Sequence, residues 1–333
     1  MTQAKYDVLG IGNAIFDVLV RTDEAFLARH GMTKGGMALI DETRAASIYR
    51  DMGPATEMSG GSAANTIVGI ANFGARAAYV GKVKDDQIGQ LYTHDIRAAG
   101  VAFETAAASG GPATGCCYIL VTPDGERTMN TYLGAAQELM PADIDAAQIA
   151  ASAIVYLEGY LWDPRNAKEA FVKAATIAHG AGRQVALTLS DSFCIDRYRD
   201  EFLDLMRKGT VDLVFANEAE LHSLYQTSDF DTALTQLRND VRLGVVTRSE
   251  KGCVVATKDA VATVPAFGID KLVDTTGAGD MFAAGFLFGL VRNAGHENAG
   301  RLGALAAAEV IQHIGARPQV PLTELAQQNG LPI

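Results

Sequence analysis

Only four of the 333 residues are cysteine, and their placement excludes two roles. Cys116 and Cys117 are adjacent while Cys194 and Cys253 stand alone, which gives neither a zinc spacing nor a disulfide framework, so buried free thiols are expected. Positive charge is scarce as well: 28 Lys and Arg against 39 Asp and Glu leave a net charge of −11, with no basic run. That balance argues against a nucleic-acid or anionic-membrane surface and for a small-molecule partner. The uncharged run that follows Asp280 ends at Val291, well short of the roughly 20 residues a membrane-spanning helix needs. Residues 1–12 lack a basic segment, an apolar stretch and a cleavage site, so a cytoplasmic location is expected. Three catalytic signatures are missing too. The stretch 295–301 fails the phosphate-loop pattern at its final residues, Gly10-Ile11-Gly12 has Ile15 where a dinucleotide fingerprint needs its third glycine, and Gly61-Ser62-Ala63 lacks the spacing of a hydrolase nucleophile elbow. No histidine has a partner at metal-ligand spacing.

Apolar residues make up 48% of the chain, ample for a core, and there is no internal repeat or low-complexity linker. Short β-branched runs at 6–12, 77–83, 154–157, 185–189, 211–215 and 243–247 alternate with Ala-rich stretches of helical spacing such as 87–99 and 166–180. That alternation predicts an α/β fold whose mostly parallel sheet is covered by helices on both faces. Further strands are expected at 253–257 and 260–264, and helices at 278–291 and 298–313. Two stretches break the rhythm. Residues 15–20 with 35–40, and 101–105 with 114–121 and 126–132, read as strands without crossover helices, and Pro123-Asp124-Gly125 is a hairpin signal. They predict one domain over 1–333 carrying a small antiparallel lid built from about 14–40 and 101–132. The lid's exposed edge must be covered by solvent-compatible residues or by a second subunit, which makes a homodimer through the lid one expectation.

The segment Asp274-Thr275-Thr276-Gly277-Ala278-Gly279-Asp280 precedes a long uncharged run and carries the most chemistry. Two glycines flank an alanine where a helix begins, so bare N–H groups can converge on an anion at the helix's positive end. Asp280 beside such a site is a candidate base. Capping alone would account for each element singly but not for the combination. Gly60-Gly61 lets backbone approach a ligand, and Asn65, one helical turn on, offers a donor and an acceptor suited to vicinal hydroxyls. Asn217 and Glu220 open a helix directly after an apolar strand, at the carboxyl end where α/β sites gather. Arg127, in the lid turn, suits phosphate oxygens, although a solvated hairpin arginine is the commoner case.

In Asp274 to Phe282, and again in Gly60-Gly61-Ser62-Ala63-Ala64-Asn65, the chain resembles the ribokinase-like, or PfkB, carbohydrate kinases, and the two signatures stand in that family's order over nearly the whole chain. The resemblance implies a ribokinase-like fold, ATP as phosphoryl donor, an anion hole from the Gly277-Ala278-Gly279 amides and Asp280 as general base. It implies that Asp17 and Asn65 grip sugar hydroxyls, that Asn217 and Glu220 match an Asn-x-x-Glu motif organising water around Mg²⁺, and that Thr247 and Gly252 contact the nucleotide. Ser249 stands where the family usually has glycine, which leaves that loop's backbone open to question. Asp274 and Thr276 resemble positions of a monovalent-cation (K⁺) site. Ser62 in place of lysine, with the long interval from Asp17 to Gly60, is similar to the adenosine kinases within the family. The implied acceptor is the 5′ hydroxyl of a purine nucleoside, adenosine foremost, with ribose, fructose or ketodeoxygluconate as alternatives and an idle nucleoside-binding sensor as the rival. Phe16, Met37, Phe103, Tyr118 and Tyr132 are candidates for a nucleobase wall, and lid packing explains them equally well.

Overall fold

The computed structural model describes residues 4–333; the first three residues of the expected domain lie outside it. Nine strands form the large sheet, in the order Val261–Val264, Cys253–Thr257, Leu243–Thr247, Leu213–Asn217, Gln184–Thr188, Ser152–Glu158, Tyr6–Ile11, Ala77–Val80 and Val101–Phe103. All neighbours run parallel except at Cys253–Thr257, which is antiparallel to both strands beside it. Its central strands are apolar along their length because helices bury both faces, as a crossover topology requires. Helix Ala278–Val291 is apolar nearly all round, and the fold accounts for it. It lies against Ser62–Asn72 and His296–Val310, with Phe288 stacked on Phe73 at 4.8 Å between centroids. That packing fixes where the helix's N-terminus, and Asp280 in its first turn, must point.

The smaller sheet has the order Met37–Leu39, Arg127–Tyr132, Gly115–Val121, Ile15–Arg21 and Thr56–Gly60. Antiparallel ladders join Gly115–Val121 to Arg127–Tyr132 and Ile15–Arg21 to Thr56–Gly60, and two parallel ladders complete it. One membership expectation changes. Val101–Phe103 is not a lid strand: it pairs in parallel with Ala77–Tyr79, its two large side chains are buried, and Arg97 donates to the Phe103 carbonyl from below. In its place stands Thr56–Gly60, whose Thr-Glu-Met-Ser-Gly sequence has no apolar alternation and takes its register wholly from Ile15–Leu19. Two helices lie between the lid strands Ile15–Arg21 and Thr56–Gly60, Glu24–Arg29 and, past the expected segment end near 40, Glu42–Asp51, each opened by an aspartate, Asp23 and Asp41, that accepts from the third residue on.

Period two decides what each lid residue does. Phe16, Val18, Cys116 and Tyr118 share one face and pack with Ala45 and Ile48, so the two aromatics are core and not a ligand wall. Asp17 lies on the other face. Phe103 belongs to the main core beside Tyr79 and Tyr92, and Met37 is about half exposed at the sheet edge. All four cysteines are buried and unpaired, as the composition suggests, and burial pushes the Cys116, Cys194 and Cys253 thiols up to about 12.

Candidate active site

Ile11, Glu158, Thr188, Asn217 and Thr247 end adjacent strands of the large sheet at one edge, its carboxyl edge, and the functional side chains gather there. Asp280 sits at their centre. Its Oδ1 accepts from Ser62 Oγ at 2.6 Å and its Oδ2 from Asn65 Nδ2 at 3.2 Å. Burial raises its carboxyl to about 6, against the pull of those two donors and of the Arg317 charge. Ser62, expected only to start a helix, therefore also holds the candidate base.

Helix Ala278–Val291 begins from Gly277 at φ +77°, a left-handed conformation that places the turn against Ala316. The Ala278 N–H closes on Thr275 O at 3.2 Å, which leaves the expected anion hole to the neighbouring glycine amides. A Cβ on Gly279 would meet no protein atom within 4 Å, so packing does not demand glycine there.

The acceptor side is equally constrained. A Cβ on Gly60 would lie 2.2 Å from Asp17 Oδ2, and one on Gly61, at φ +99°, 2.1 Å from the Asn13 carbonyl. Burial raises Asp17 to about 7 despite Arg317 and Arg127 nearby, and the charge of Asp280 adds to the rise. Glu158, which sequence reading missed, ties the two glycine turns together. It accepts from Asn13 N at 3.1 Å, Asn13 Nδ2 at 2.7 Å and Ala63 N at 2.8 Å, and its own burial raises it to about 7. Arg317 was also missed. It reaches Asn65 and Ser59 from the segment after helix His296–Val310.

Arg127 is not a solvated hairpin residue. It is buried in an ion pair with Asp274, whose Oδ1 accepts from Thr276 N and whose Oδ2 accepts from Gly315 N, each at 3.0 Å. The lid thus rests on the loop that runs from Asp274 to Gly277. In this structure the Asp274 carboxylate meets one guanidinium and two amides.

On the donor side, Asn217 and Glu220 form a reciprocal cap: Asn217 N and Nδ2 donate to Glu220 at 3.0 and 2.6 Å, and Glu220 N donates back at 2.8 Å. Glu220 is buried and raised to about 7 by that burial, against the pull of the Asn217 N–H and with Asp191 adding to the rise. A buried carboxylate in that position fits a hydrated divalent ion. Glu218 is taken by Arg248 at 2.8 Å, and the Arg248 guanidinium lies 3.7 Å over Phe230. Thr247 pairs with Asn217 across the ladder, and Gly252 adopts φ +83°. Ser249 keeps the backbone a glycine would give, at φ +50°, and carries the strain of it. Ser249→Gly is therefore expected to stabilise the protein by about 0.5–1 kcal/mol after the extra chain entropy of glycine is set against relief of strain, read as a higher thermal midpoint.

A family model described as "pfkB family carbohydrate kinase" matches residues 51–323. The chain belongs to the pfkB family of carbohydrate kinases. Such membership implies ATP as the phosphoryl donor. Over 99% of this chain and all of the other, the structure superposes on that of a probable sugar kinase from Rhizobium etli with a TM-score of 0.93 at 52% identity. An adenosine kinase from Sinorhizobium meliloti gives 0.91 at 55% identity over 98% of this chain and all of its own. A probable fructokinase-4 of Arabidopsis thaliana is 28% identical over 70% of this chain and 73% of its own length. The ribokinase-like fold with its lid follows from these likenesses together with the topology. Among the described residues no helix is long and apolar enough to cross a membrane.

Proposed function

We propose that this kinase transfers the γ-phosphoryl group of MgATP to the 5′ hydroxyl of a purine nucleoside, adenosine foremost. The observation that carries the reading is the convergence of Asp280, Ser62 and Asn65 beneath a lid that brings Asp17 and Arg127 to the same cleft. Asp17 and Asn65 orient the sugar hydroxyls, and Asp280 accepts the proton as the acceptor oxygen attacks. Gly277 and Gly279 amides meet the charge developing on the phosphoryl oxygens, and Arg127 leaves Asp274 for the same charge when the substrates are bound. Thr247 and Gly252 lie along the nucleotide. Glu220 would hold Mg²⁺ through water, and charge neutralisation of the phosphates is what the ion supplies. Positioning and exclusion of water by the lid do the remaining work.

Support for a nucleoside comes from Tyr160 as well as from the likeness to an adenosine kinase. The residue is 39% exposed, partial burial raises its hydroxyl well above the usual range with the charges of Asp191, Asp280 and Glu220 adding to the rise, and it is locked at both ends. Tyr160 N donates to Ser190 Oγ, and its hydroxyl to Ser190 O, each at 3.1 Å. An ordered, exposed aromatic face beside the base suits a purine. The lid edge at Met37–Leu39, with both side chains about half exposed, suits pairing with a second copy. ADP release from MgATP should be measured with adenosine, inosine, guanosine, ribose, fructose and ketodeoxygluconate. Selective turnover of adenosine is expected; turnover of a free sugar alone would keep the mechanism and overturn the acceptor, and no turnover with any of them would favour a binding protein.

A further inference from the structure

Arg317 comes from a segment that no catalytic signature contains, yet it is the side chain through which three parts of the site meet. Its Nε donates to Asn65 Oδ1 at 3.2 Å; one Nη donates to Ser59 O and, at 3.0 Å, to Ser59 Oγ; the other lies 3.9 Å from Asp95. Asp95 in turn accepts from Ser59 N and Oγ at 2.8 and 2.5 Å. Ser59 belongs to the lid strand Thr56–Gly60 and is fully buried, while Asn65 is in the acceptor helix. The two residues before Arg317 reach the anion-hole loop: Gly315 N donates to Asp274 and Ala316 packs on Gly277.

An asparagine amide can present either its oxygen or its nitrogen to a neighbour, and the two orientations are nearly the same shape. Guanidinium has donors only. It therefore admits only the oxygen of Asn65, and that choice turns Nδ2 toward Asp280. With the opposite orientation two oxygens would face each other at the base. We propose that Arg317 is a positioning residue for phosphoryl transfer: it sets the orientation of the Asn65 amide, and through it that of Asp280, while fixing the lid strand to the acceptor helix. The inference rests on Asp280 as the base and not on which acceptor is used. The ionisable groups around the guanidinium are Tyr92, Asp95, Asp17 and Asp280, and its charge counters the burial of Asp17 together with Arg127 and that of Asp280 together with the Ser62 and Asn65 donors.

The test is a cycle of Arg317→Met, Asn65→Ala and the double variant, assayed on whichever acceptor the wild type phosphorylates best, with ¹³C NMR titration of Asp280 in the free protein as a readout that needs no acceptor. Arg317→Met is expected to lower kcat by about tenfold or more, leave the KM for ATP within about twofold, and give a double variant no worse than Asn65→Ala within about twofold, because one residue acts through the other. The Asp280 titration and the acid limb of kcat/KM should both move to higher pH. Should Arg317→Met fail to fold, Arg317→Lys keeps the charge and most of the volume but lacks the fork, and is expected to lose kcat at an unchanged thermal midpoint. Multiplicative losses in the cycle, an unmoved Asp280 titration, or wild-type kcat in Arg317→Lys would overturn the proposal. Failure with adenosine but turnover of a sugar would overturn the acceptor alone.

Discussion

Asp280→Asn is expected to lower kcat by about 10²–10⁴-fold while ATP binding stays close to wild type, because general-base catalysis is worth that much and Asp280 is carried on a different helix from Asn217 and Glu220, the pair proposed for the nucleotide side. The amide keeps an acceptor for Ser62 but cannot take a proton. A pH profile separates this from a merely structural loss. Burial raises the folded carboxyl from 3.8 to about 6, so wild-type kcat/KM should fall as pH drops through about 6, and the residual rate of the variant should lack that limb. Stability should move the other way. A carboxyl whose pKa is raised by folding binds its proton more tightly in the native state, so between about pH 4 and 6 stability declines as pH rises, and the cost of burying the charge is fully present above 6. Asp280→Asn removes that cost but sets its own Nδ2 against the Asn65 Nδ2, so the midpoint of the variant relative to the wild type should be higher at pH 8 than at pH 5. Steady-state kinetics from pH 5 to 9 with thermal denaturation at pH 5 and 8 checks both halves, and wild-type turnover in the variant would remove Asp280 from the mechanism.

The same residue shows why part of this site can be read from sequence and part cannot. Gly277, Gly279 and Asp280 are neighbours in the chain, so their joint chemistry survives as a local pattern, and the helix they open is apolar enough to be placed without a structure. Asn65 and Asp280 are 215 positions apart, and only the resemblance to a family, borne out by the pfkB match, joins them before the fold does. Glu158 has no such help. It ends an apolar strand, where an acidic residue ordinarily reads as the solvent-facing end, and only the folded chain brings Asn13 and Ala63 around it. Arg317 and Tyr160 are similar cases, carried on segments without a local signature. The lid exposes a different limit. Val101–Phe103 joins the large sheet instead of the lid because strand pattern says that a segment is extended, not which sheet it joins, and Thr56–Gly60, a lid strand with no expectation attached, lacks even the pattern. Phe16 and Tyr118 misled as wall candidates for a related reason: alternation separates two faces but does not say which one meets the cleft, and the helix Glu42–Asp51 decides it.

Gly277→Ala is the second large effect expected, and it tests the anion hole independently of the base. A Cβ at this position would lie 2.7 Å from both Ala316 Cα and Cβ and 2.9 Å from Ala316 O, and alanine resists the φ of +77° that the turn requires. Neither obstacle can be relieved by rotating a side chain, so the backbone must move, and with it the amides meant for the phosphoryl oxygens. Loss of one well-placed donor of this kind costs about 10²–10³ in kcat, and that is the fall expected here. The acceptor KM should change far less, since Asp17 and Asn65 are carried on other elements. Gly279→Ala is the control, because a Cβ there meets no protein atom within 4 Å. If Gly279→Ala keeps the wild-type thermal midpoint and still loses kcat, the methyl group is competing with substrate for open space and the loop is an anion site. If both variants keep kcat, the amides do not contact the transferring group, and the charge must be met by Arg127 and the donor side alone.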